Sequence, residues 1–269
     1  RRQQYAAQKL AKSPQLSVTT IGFSQSDSET LPEFDVLILP IPTTAESVPS
    51  KNGNLSLPEL LSHVKKGGLV CGGVLPEAVC RMCQEQELCF CDYFQREELC
   101  LANAVPTVEG AIQIAISERE TVLCGSSVLG YGRIGTIMAE RLQGLKVDVT
   151  VAARSCKDAE RCAANGLKWM HPSEIAARAG KFDWFCNTVP VLMLDETALS
   201  NMKPDALVID LASKPGGTDF DAAKRLHRHV IWALGLPGIT APKTAGAIIA
   251  KTIFHILQER GLADEGNNW

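Results

Sequence analysis

Three glycines at the spacing G-x-G-x-x-G can hold a pyrophosphate, and this chain has them at Gly130, Gly132 and Gly135. Gly130 allows a tight turn after a strand, Gly132 lets the backbone approach the pyrophosphate, and Gly135 lets the next helix pack closely on the sheet. The first turn of that helix offers free N–H groups and a positive dipole end to the phosphates. The motif predicts a dinucleotide site at Gly130, Tyr131, Gly132, Arg133, Ile134 and Gly135.

The residues after the motif are typical of a strand–helix–strand unit. Ile134, Ile137, Met138 and Leu142 are apolar at helical spacing, and residues 147–153 form the second strand of the unit. A glycine-rich turn alone is a weak signal, so this context is what supports a dinucleotide site.

The end of the second strand indicates which dinucleotide binds. An NAD site usually has an acidic residue there, whereas an NADP site has a cation and small donors. This chain has Ala153, Arg154 and Ser155, with no acidic residue between positions 149 and 156. A charge-assisted hydrogen bond from Arg154 to a 2′-phosphate would contribute about 1.5–3 kcal/mol. We therefore expect NADP, while NAD remains an alternative if Arg154 is only a solvated surface residue.

Composition and charge narrow the class of protein. The chain has 269 residues, 45% of them hydrophobic, and a formal net charge of −3. The length allows two domains with separate cores, and the charge gives no sign of a nucleic-acid partner. We expect no membrane association, because no apolar run of membrane-spanning length and no signal peptide is evident.

The chain has ten cysteines. Several lie in predicted strands and helices, where cysteine acts as a small hydrophobic residue, which indicates a reducing cytoplasm. Cys80, Cys83, Cys89 and Cys91 have spacings that could bind zinc. However, the first two lie on an amphipathic helix and the last two on a strand, whereas structural zinc sites usually place such pairs on turns. We therefore expect no metal.

Strands and helices alternate along the second half of the chain. Further strands are predicted at residues 182–187, 206–211 and 229–234. This pattern predicts an α/β fold, a Rossmann-type doubly wound parallel sheet.

The first hundred residues repeat the alternation on a smaller scale. Strands are predicted at residues 16–21, 36–39, 69–71 and 88–90. A capping-box signal at Ser56 precedes a helix through Val64, and Pro76 opens the next helix. The pattern predicts a second, smaller α/β domain, which opens on a helix with no strand before it.

Four segments follow from these elements. We expect an N-terminal domain over residues 1–103, which contacts the substrate or a partner. A linking segment covers residues 104–121, and its helix is expected to begin at Pro106, because proline is favoured in the first turn of a helix. The dinucleotide domain covers residues 122–242. A last helix at residues 243–262 is expected to pack between the domains.

Five stretches of the chain resemble the family of the dipicolinate synthase A subunit, found in spore-forming bacteria, and the resemblance runs nearly end to end. The long stretches at residues 210–220 and 235–246 are the most specific, and those at 103–110, 130–135 and 153–155 agree with them. Two departures stand out. The family has a strand and a glycine-rich turn before the first helix, whereas this sequence starts inside that helix. The segment before Gly130 is also about two residues shorter than in the family. The first Rossmann strand is therefore expected to be short or irregular.

The resemblance implies an NAD(P)-dependent step to dipicolinate from dihydrodipicolinate or hydroxytetrahydrodipicolinate. It also implies that the partner is a second, flavoprotein-like subunit, and that the protein acts in the cytoplasm of the mother cell during sporulation. A homo-oligomer is left open. The substrate would be a small dicarboxylate.

Loops at the carboxyl ends of the strands are where ligands of such a fold bind. We expect the rest of the cofactor site at Thr188, Val189, Pro190, Leu211 and Ala212. A substrate carboxylate needs cations, N–H groups or small donors, which predicts a substrate site at Thr43, Thr44, Thr107, Pro237, Gly238 and Thr244.

Lys243 and Glu109 are the candidate catalytic residues. Lys243 lies in the first turn of a helix, where the dipole disfavours a cation, so a nearby anion is inferred. Glu109 could orient a ligand or accept a proton. Each has a simpler alternative, a solvated lysine and a helix-end acid. Asp210 ends a buried strand and is interpreted as holding its loop through backbone N–H groups.

Two classes of function remain open. The chain is either an oxidoreductase or a nucleotide-binding sensor or scaffold whose partner does the chemistry. The second class stays open because no His–Asp or Lys–Tyr pair is evident. A 2-hydroxyacid dehydrogenase would need an Arg and His–Glu constellation that the sequence does not offer.

Overall fold

The computed structural model describes residues 1–23, 31–51, 53–123 and 125–264. The chain forms two units, Arg1–Asn103 with the segment from Pro242 onward, and Ala104–Ala241. Helix α4 (Glu97–Ser117) begins in the first unit and ends in the second.

The first unit is built on a small parallel sheet. Its strands follow the order β1-β4-β5, and β2 and β3 form a separate antiparallel pair. The elements of this unit are α1 (Arg2–Leu10), β1 (Phe34–Ile38), β2 (Ser47–Ser50), β3 (Gly53–Ser56), α2 (Leu57–Ser62), β4 (Val64–Gly72), α3 (Glu77–Glu85), β5 (Cys89–Asp92) and the last helix, α11 (Pro242–Glu259).

The last helix packs on α1 within this unit. A Cβ atom at Gly246 would lie 2.5 Å from the carbonyl oxygen of Arg2, so only glycine permits this close approach. Ile249, Ile253 and Ile256 recur at helical spacing and share one buried cluster with Leu10 and the sheet. The apolar stripe of α11 is therefore satisfied by the core of the first unit.

The second unit is a six-stranded sheet in which every pair is parallel, in the order β11-β10-β9-β6-β7-β8. This confirms the predicted fold class. The elements are β6 (Gly125–Leu129), α5 (Arg133–Gly144), β7 (Asp148–Ala152), α6 (Cys156–Ala164), β8 (Lys168–Met170), α7 (Ile175–Arg178), β9 (Trp184–Asn187), α8 (Glu196–Asn201), β10 (Leu207–Asp210), α9 (Phe220–Arg225), β11 (His229–Trp232) and α10 (Leu236–Thr240).

Strand β6, expected to be short or irregular, is five residues long and regular. It pairs with β7 over all of those residues and with β9 over four of them. Strand β8 has only three residues and was missed by sequence reasoning. Buried clusters cover both faces of the sheet, as a doubly wound fold requires.

Three predicted elements are wrong in detail. Residues 16–21 form no strand: Leu16 and Val18 pack on the core from an irregular segment, which mimics the alternation of a strand. Helix α2 ends at Ser62, and Val64 begins β4 instead. Helix α4 begins at Glu97 rather than at Pro106, which lies inside it.

Helix α4 also corrects the expectation about membrane-spanning segments. By length and composition alone, it could cross a membrane. Core helices pass the same test, and the buried residues of α4 fit that interpretation. Leu99 belongs to the core of the first unit, and Val108, Ala111 and Ala115 belong to the core of the second. The apolarity of α4 thus serves both cores.

Candidate functional site

The glycine turn between β6 and α5 has the geometry that a dinucleotide needs. Gly130 has φ of +93°, and a Cβ there would lie 2.5 Å from Val189 Cγ2. A Cβ at Gly135 would lie 2.1 Å from the carbonyl oxygen of Gly130, so α5 can approach the turn only with glycine at this position. At Gly132 a Cβ would meet nothing within 4 Å. The space beside Gly132 is therefore not filled by described protein atoms and is open to a ligand.

A cleft of about 740 Å³ opens at this turn. We call it the glycine-loop cleft. It brings together eleven of the predicted cofactor residues, Gly130, Tyr131, Gly132, Arg133, Ile134, Ala153, Arg154, Ser155, Thr188, Val189 and Pro190. It is also lined by six residues that sequence reasoning missed, Ala152, Asp158, Pro172, Val191, Leu192 and Met193.

Three predicted cofactor residues are not part of this lining. Gly135 packs behind the turn, against the Gly130 carbonyl. Leu211 and Ala212 follow β10 and are buried. The Ala212 backbone N–H donates to Asp210 Oδ1 at 3.0 Å, and its carbonyl accepts from Trp232 Nε1 at 2.9 Å. These contacts give Leu211 and Ala212 a structural place, while their cofactor role stays a prediction.

Arg154 is the candidate cation for a 2′-phosphate. Its side chain is exposed at the carboxyl end of β7, and among the residues that the structure describes it has no hydrogen-bond or ion-pair partner. A guanidinium without a partner can turn toward a phosphate without breaking an existing ion pair.

Ser155 is engaged differently from the expectation. It caps α6, and its Oγ accepts from the Asp158 N–H at 3.0 Å. The same hydroxyl donates to Asp158 Oδ2 at 2.7 Å. Its proton is therefore committed to a carboxylate that also lines the cleft. Sequence reasoning missed Asp158 because it lies beyond the strand end; the Ser-x-x-Asp spacing of a helix cap was the available signal.

A second cation, Arg161, contacts both Tyr131 and Asp158. The Arg161 guanidinium lies 4.6 Å from the Tyr131 ring centroid, and its Nη1 lies 3.1 Å from Asp158 Oδ1. Asn165 Nδ2 donates to the Tyr131 hydroxyl at 3.4 Å. Burial is the main reason that the pKa of Tyr131 is raised. Arg161 thus connects Tyr131 and Asp158, two residues that line the cleft.

Elsewhere in the cleft lining, Thr188 is held in place by β6 and Val189 by β9. Thr188 Oγ1 donates to the Leu129 carbonyl at 2.8 Å. Asn187 Nδ2 donates to the Val189 carbonyl at 3.0 Å, and its Oδ1 accepts from the Val189 N–H at 3.1 Å. The part of the cleft lining formed by Thr188 and Val189 is therefore held by hydrogen bonds to neighbouring strands.

Asp210 holds its loop, as the sequence indicated. The carboxylate is fully buried and accepts four hydrogen bonds, from Asn187 Nδ2, the Ala212 N–H, the Gly217 N–H and Thr218 Oγ1, at 2.8–3.0 Å. A carboxylate so fully used is a structural centre rather than a proton carrier.

The predicted substrate residues are spread over both units. Thr43 and Thr44 follow β1 and already donate to carbonyls, Thr43 to Pro40 at 2.8 Å and Thr44 to Ser47. Their expected role as free donors is therefore corrected, since each hydroxyl has only acceptor capacity left. Thr107 lies in α4, Pro237 and Gly238 lie in α10, and Thr244 lies in the first turn of α11.

The two catalytic candidates are both exposed. Lys243 follows Pro242 at the start of α11. Glu109 Oε1 lies 3.8 Å from Arg141 Nη2, an ion pair of half-exposed groups that favours its simpler interpretation as a surface acid. Arg96, another cation of the first unit, is already paired with Glu98 and Glu259. The catalytic roles of Lys243 and Glu109 stay predictions.

The cysteines lie where the sequence placed them, Cys80 and Cys83 on α3 and Cys89 and Cys91 on β5. Within the described ranges, no group of three or more His, Cys, Asp or Glu side chains is arranged to hold a metal ion. Burial raises the pKa of Cys83 to about 11. Cys83 therefore stays protonated at neutral pH.

Two family descriptions match separate parts of the chain. Residues 1–94 match the N-terminal domain of the dipicolinate synthase A subunit. Residues 115–223 match the NAD binding domain of D-isomer specific 2-hydroxyacid dehydrogenases. The second match identifies the domain that contains the glycine-loop cleft as a nicotinamide-dinucleotide domain of dehydrogenase type.

Known relatives agree with these matches. The dipicolinate synthase A subunit of Bacillus subtilis is 41% identical over 168 residues, a match that spans 62% of this chain and 57% of that protein. The crystal structure of the same subunit from Bacillus halodurans has a TM-score of 0.85 at 30% identity and covers 95% of this chain and 94% of its own. The crystal structure of the Bacillus subtilis protein also gives 0.85 at 30% identity, with 96% and 93% covered.

Proposed function

Because the chain belongs to the family of the dipicolinate synthase A subunit, we propose that it is an NADP-dependent oxidoreductase subunit that forms dipicolinate. The observation that carries the proposal is the glycine-loop cleft, whose lining includes Arg154, a cation without a partner among the described residues. The substrate is dihydrodipicolinate, or hydroxytetrahydrodipicolinate after it loses water.

The residues of the cleft fit a dinucleotide. Gly132 leaves open space beside the N-terminus of α5, where the N–H groups of the first turn would hold the pyrophosphate. Arg154 would pair with the 2′-phosphate that distinguishes NADP from NAD. Thr188, Val189 and Pro190 would flank the nicotinamide.

The reaction asks for positioning more than for strong acid–base chemistry. NADP⁺ held in the glycine-loop cleft would supply the hydride acceptor for oxidation of the dihydropyridine ring, an oxidation that also releases one proton as the ring becomes aromatic. Aromatisation favours the products, so the protein must orient the ring and hold its two carboxylates. We assign the carboxylates to Lys243 and Thr244, with Pro237 and Gly238 beside them in the substrate site and Glu109 as the candidate proton acceptor.

A second function is favoured by one observation. The described lining of the glycine-loop cleft contains Asp158 and Tyr131 but no histidine or lysine. A nucleotide-binding sensor or scaffold, with the chemistry in its partner, would need no more than this. We propose that this partner is a second, flavoprotein-like subunit, in the cytoplasm of the mother cell of a sporulating bacterium.

Turnover by the purified chain distinguishes the two functions. Dihydrodipicolinate is supplied with NADP⁺ or NAD⁺, with and without the second subunit. The NADPH and the dipicolinate are both measured. We expect one NADPH for each dipicolinate formed, and a faster reaction with NADP⁺. The scaffold would be favoured by two results together. The chain alone would bind the dinucleotide without turnover, and the complex would still turn over when Arg154 is replaced by alanine.

A further inference from the structure

The wall of the glycine-loop cleft beside Arg154 carries an acid that opposes a 2′-phosphate. Asp158 lines the cleft together with Arg154 and Ser155, and its side chain is 25% exposed. Its carboxylate accepts a hydrogen bond from the Ser155 hydroxyl at 2.7 Å. Asp158 therefore places a negative charge in the cleft. It also accepts the hydrogen bond that the Ser155 hydroxyl could otherwise donate to a phosphate.

Arg161 offsets that charge from the neighbouring helical turn. Its Nη1 lies 3.1 Å from Asp158 Oδ1, and its guanidinium rests over the Tyr131 ring at 4.6 Å. Tyr131 belongs to the glycine turn and is 5% exposed, so the ring is a fixed platform. A guanidinium held by both an aromatic face and a carboxylate keeps one orientation better than a free one.

We propose that Asp158 and Arg161 set the preference of this chain between NADP and NAD, in addition to Arg154. Asp158 disfavours the 2′-phosphate by charge repulsion and because the Ser155 hydroxyl donates its hydrogen bond to Asp158 rather than to the phosphate. Arg161 reduces the repulsion by neutralising Asp158, and it does so without contacting the phosphate. The inference rests on the proposed function, since it assumes that a dinucleotide occupies the glycine-loop cleft.

The proposal predicts opposite effects for the two residues. Asp158→Asn removes the charge and should tighten NADPH binding by about fivefold, as expected for one partly exposed charge interaction. Arg161→Met leaves Asp158 uncompensated and should weaken NADPH binding by a similar factor. NADH, which has no 2′-phosphate, should change by less than about twofold in either variant.

The double variant tests how Arg161 acts. In the Asp158→Asn background, Arg161→Met should have almost no effect on NADPH binding, because no charge is left to neutralise. Arg161→Lys, which keeps the charge, should restore part of the preference. Arg225→Met removes an exposed ion pair with Glu196 at 3.1 Å that lies outside the lining of the cleft, and it serves as the matched control.

Binding of NADPH and NADH to the full chain is measured by calorimetry for all variants, with thermal unfolding to verify folding. An undiminished loss in the double variant would show that Arg161 contacts the phosphate itself and would overturn the proposal. If Arg161→Met weakened the binding of NADPH and NADH equally, the role of Arg161 would be only to support Tyr131, and the proposal would also be overturned. If the unaltered chain bound neither dinucleotide, the proposed function itself would fail.

Discussion

Asn187 Nδ2 donates to Asp210 Oδ1 at 2.9 Å, which ties the carboxyl ends of β9 and β10 together. Through Asn187 the same network fixes Val189 in the glycine-loop cleft, and through Asp210 it fixes the loop that follows β10. One buried carboxylate thus connects the lining of the cleft to the loop after β10, which lies in one of the two stretches where the family resemblance is most specific.

Asp210→Asn tests that network. The amide group of asparagine would face donors that now point at a carboxylate oxygen, leaving at least one buried donor unsatisfied. We expect a loss of about 2–4 kcal/mol in the free energy of unfolding, measured by urea denaturation. Asp205→Asn, at an exposed position before the same strand, should change it by less than about 0.5 kcal/mol. Equal effects in the two variants would contradict the role assigned to Asp210.

The sequence predicted the parts of the site that depend on local geometry. The spacing of Gly130, Gly132 and Gly135 follows from a single turn that a helix and a phosphate must both approach closely. The motif can therefore be recognised from the sequence without knowledge of the fold. Asp158 was missed because its place in the cleft depends on how α6 leaves β7. Residues 16–21 were misread because alternating burial also occurs in an irregular segment that packs on a core.

Gly132→Ala separates binding from folding. Its φ of −83° suits any residue, and an added Cβ would meet no protein atom within 4 Å. We expect unchanged thermal stability but at least about tenfold weaker binding of both NADPH and NADH, because the methyl group enters the space of the pyrophosphate. Gly144→Ala, equally open, is the control and should leave both affinities unchanged. Wild-type affinities in Gly132→Ala would place the dinucleotide elsewhere.

Arg154→Ala tests the choice of cofactor. Loss of a charge-assisted hydrogen bond to a 2′-phosphate should cost about 1.5–3 kcal/mol of NADPH binding energy, and NADH binding should barely change. Titration of both cofactors measures this difference. Lys157→Ala removes an exposed cation from the first turn of α6 and should affect neither by much. Equal losses for NADPH and NADH in Arg154→Ala would mean that Arg154 is only a surface charge.

Asp183 gives the second unit a pH dependence. Lys203 Nζ donates to its carboxylate at 2.6 Å and the Gly125 N–H donates at 2.9 Å. Burial acts to raise the pKa of Asp183, but these donors outweigh burial and lower the pKa below its usual value. The stabilisation is therefore fully present above the ordinary Asp pKa of about 3.9 and is lost as the pH falls through the lowered pKa.

Asp183→Asn should accordingly destabilise the protein at pH 7 and have a smaller effect as the pH falls below about 3.9. Urea denaturation across that range, for both proteins, measures the difference. Lys203→Met should reproduce most of the loss at neutral pH, since it removes the strongest donor. A difference between the proteins that stays constant with pH would contradict the assigned cause.

Lys243→Met tests the carboxylate site. Methionine keeps an unbranched stem but removes the charge, and the position is exposed, so folding should be unaffected. With the second subunit present, we expect the dihydrodipicolinate concentration for half-saturation to rise at least about tenfold, the effect of one lost charge-assisted contact. NADPH affinity should stay nearly constant. Lys251→Met, on the same helix, should behave as the unaltered chain. If Lys243→Met also gave unaltered kinetics, the carboxylates would bind elsewhere, and Lys214 in the loop after β10 would be the next cation to substitute.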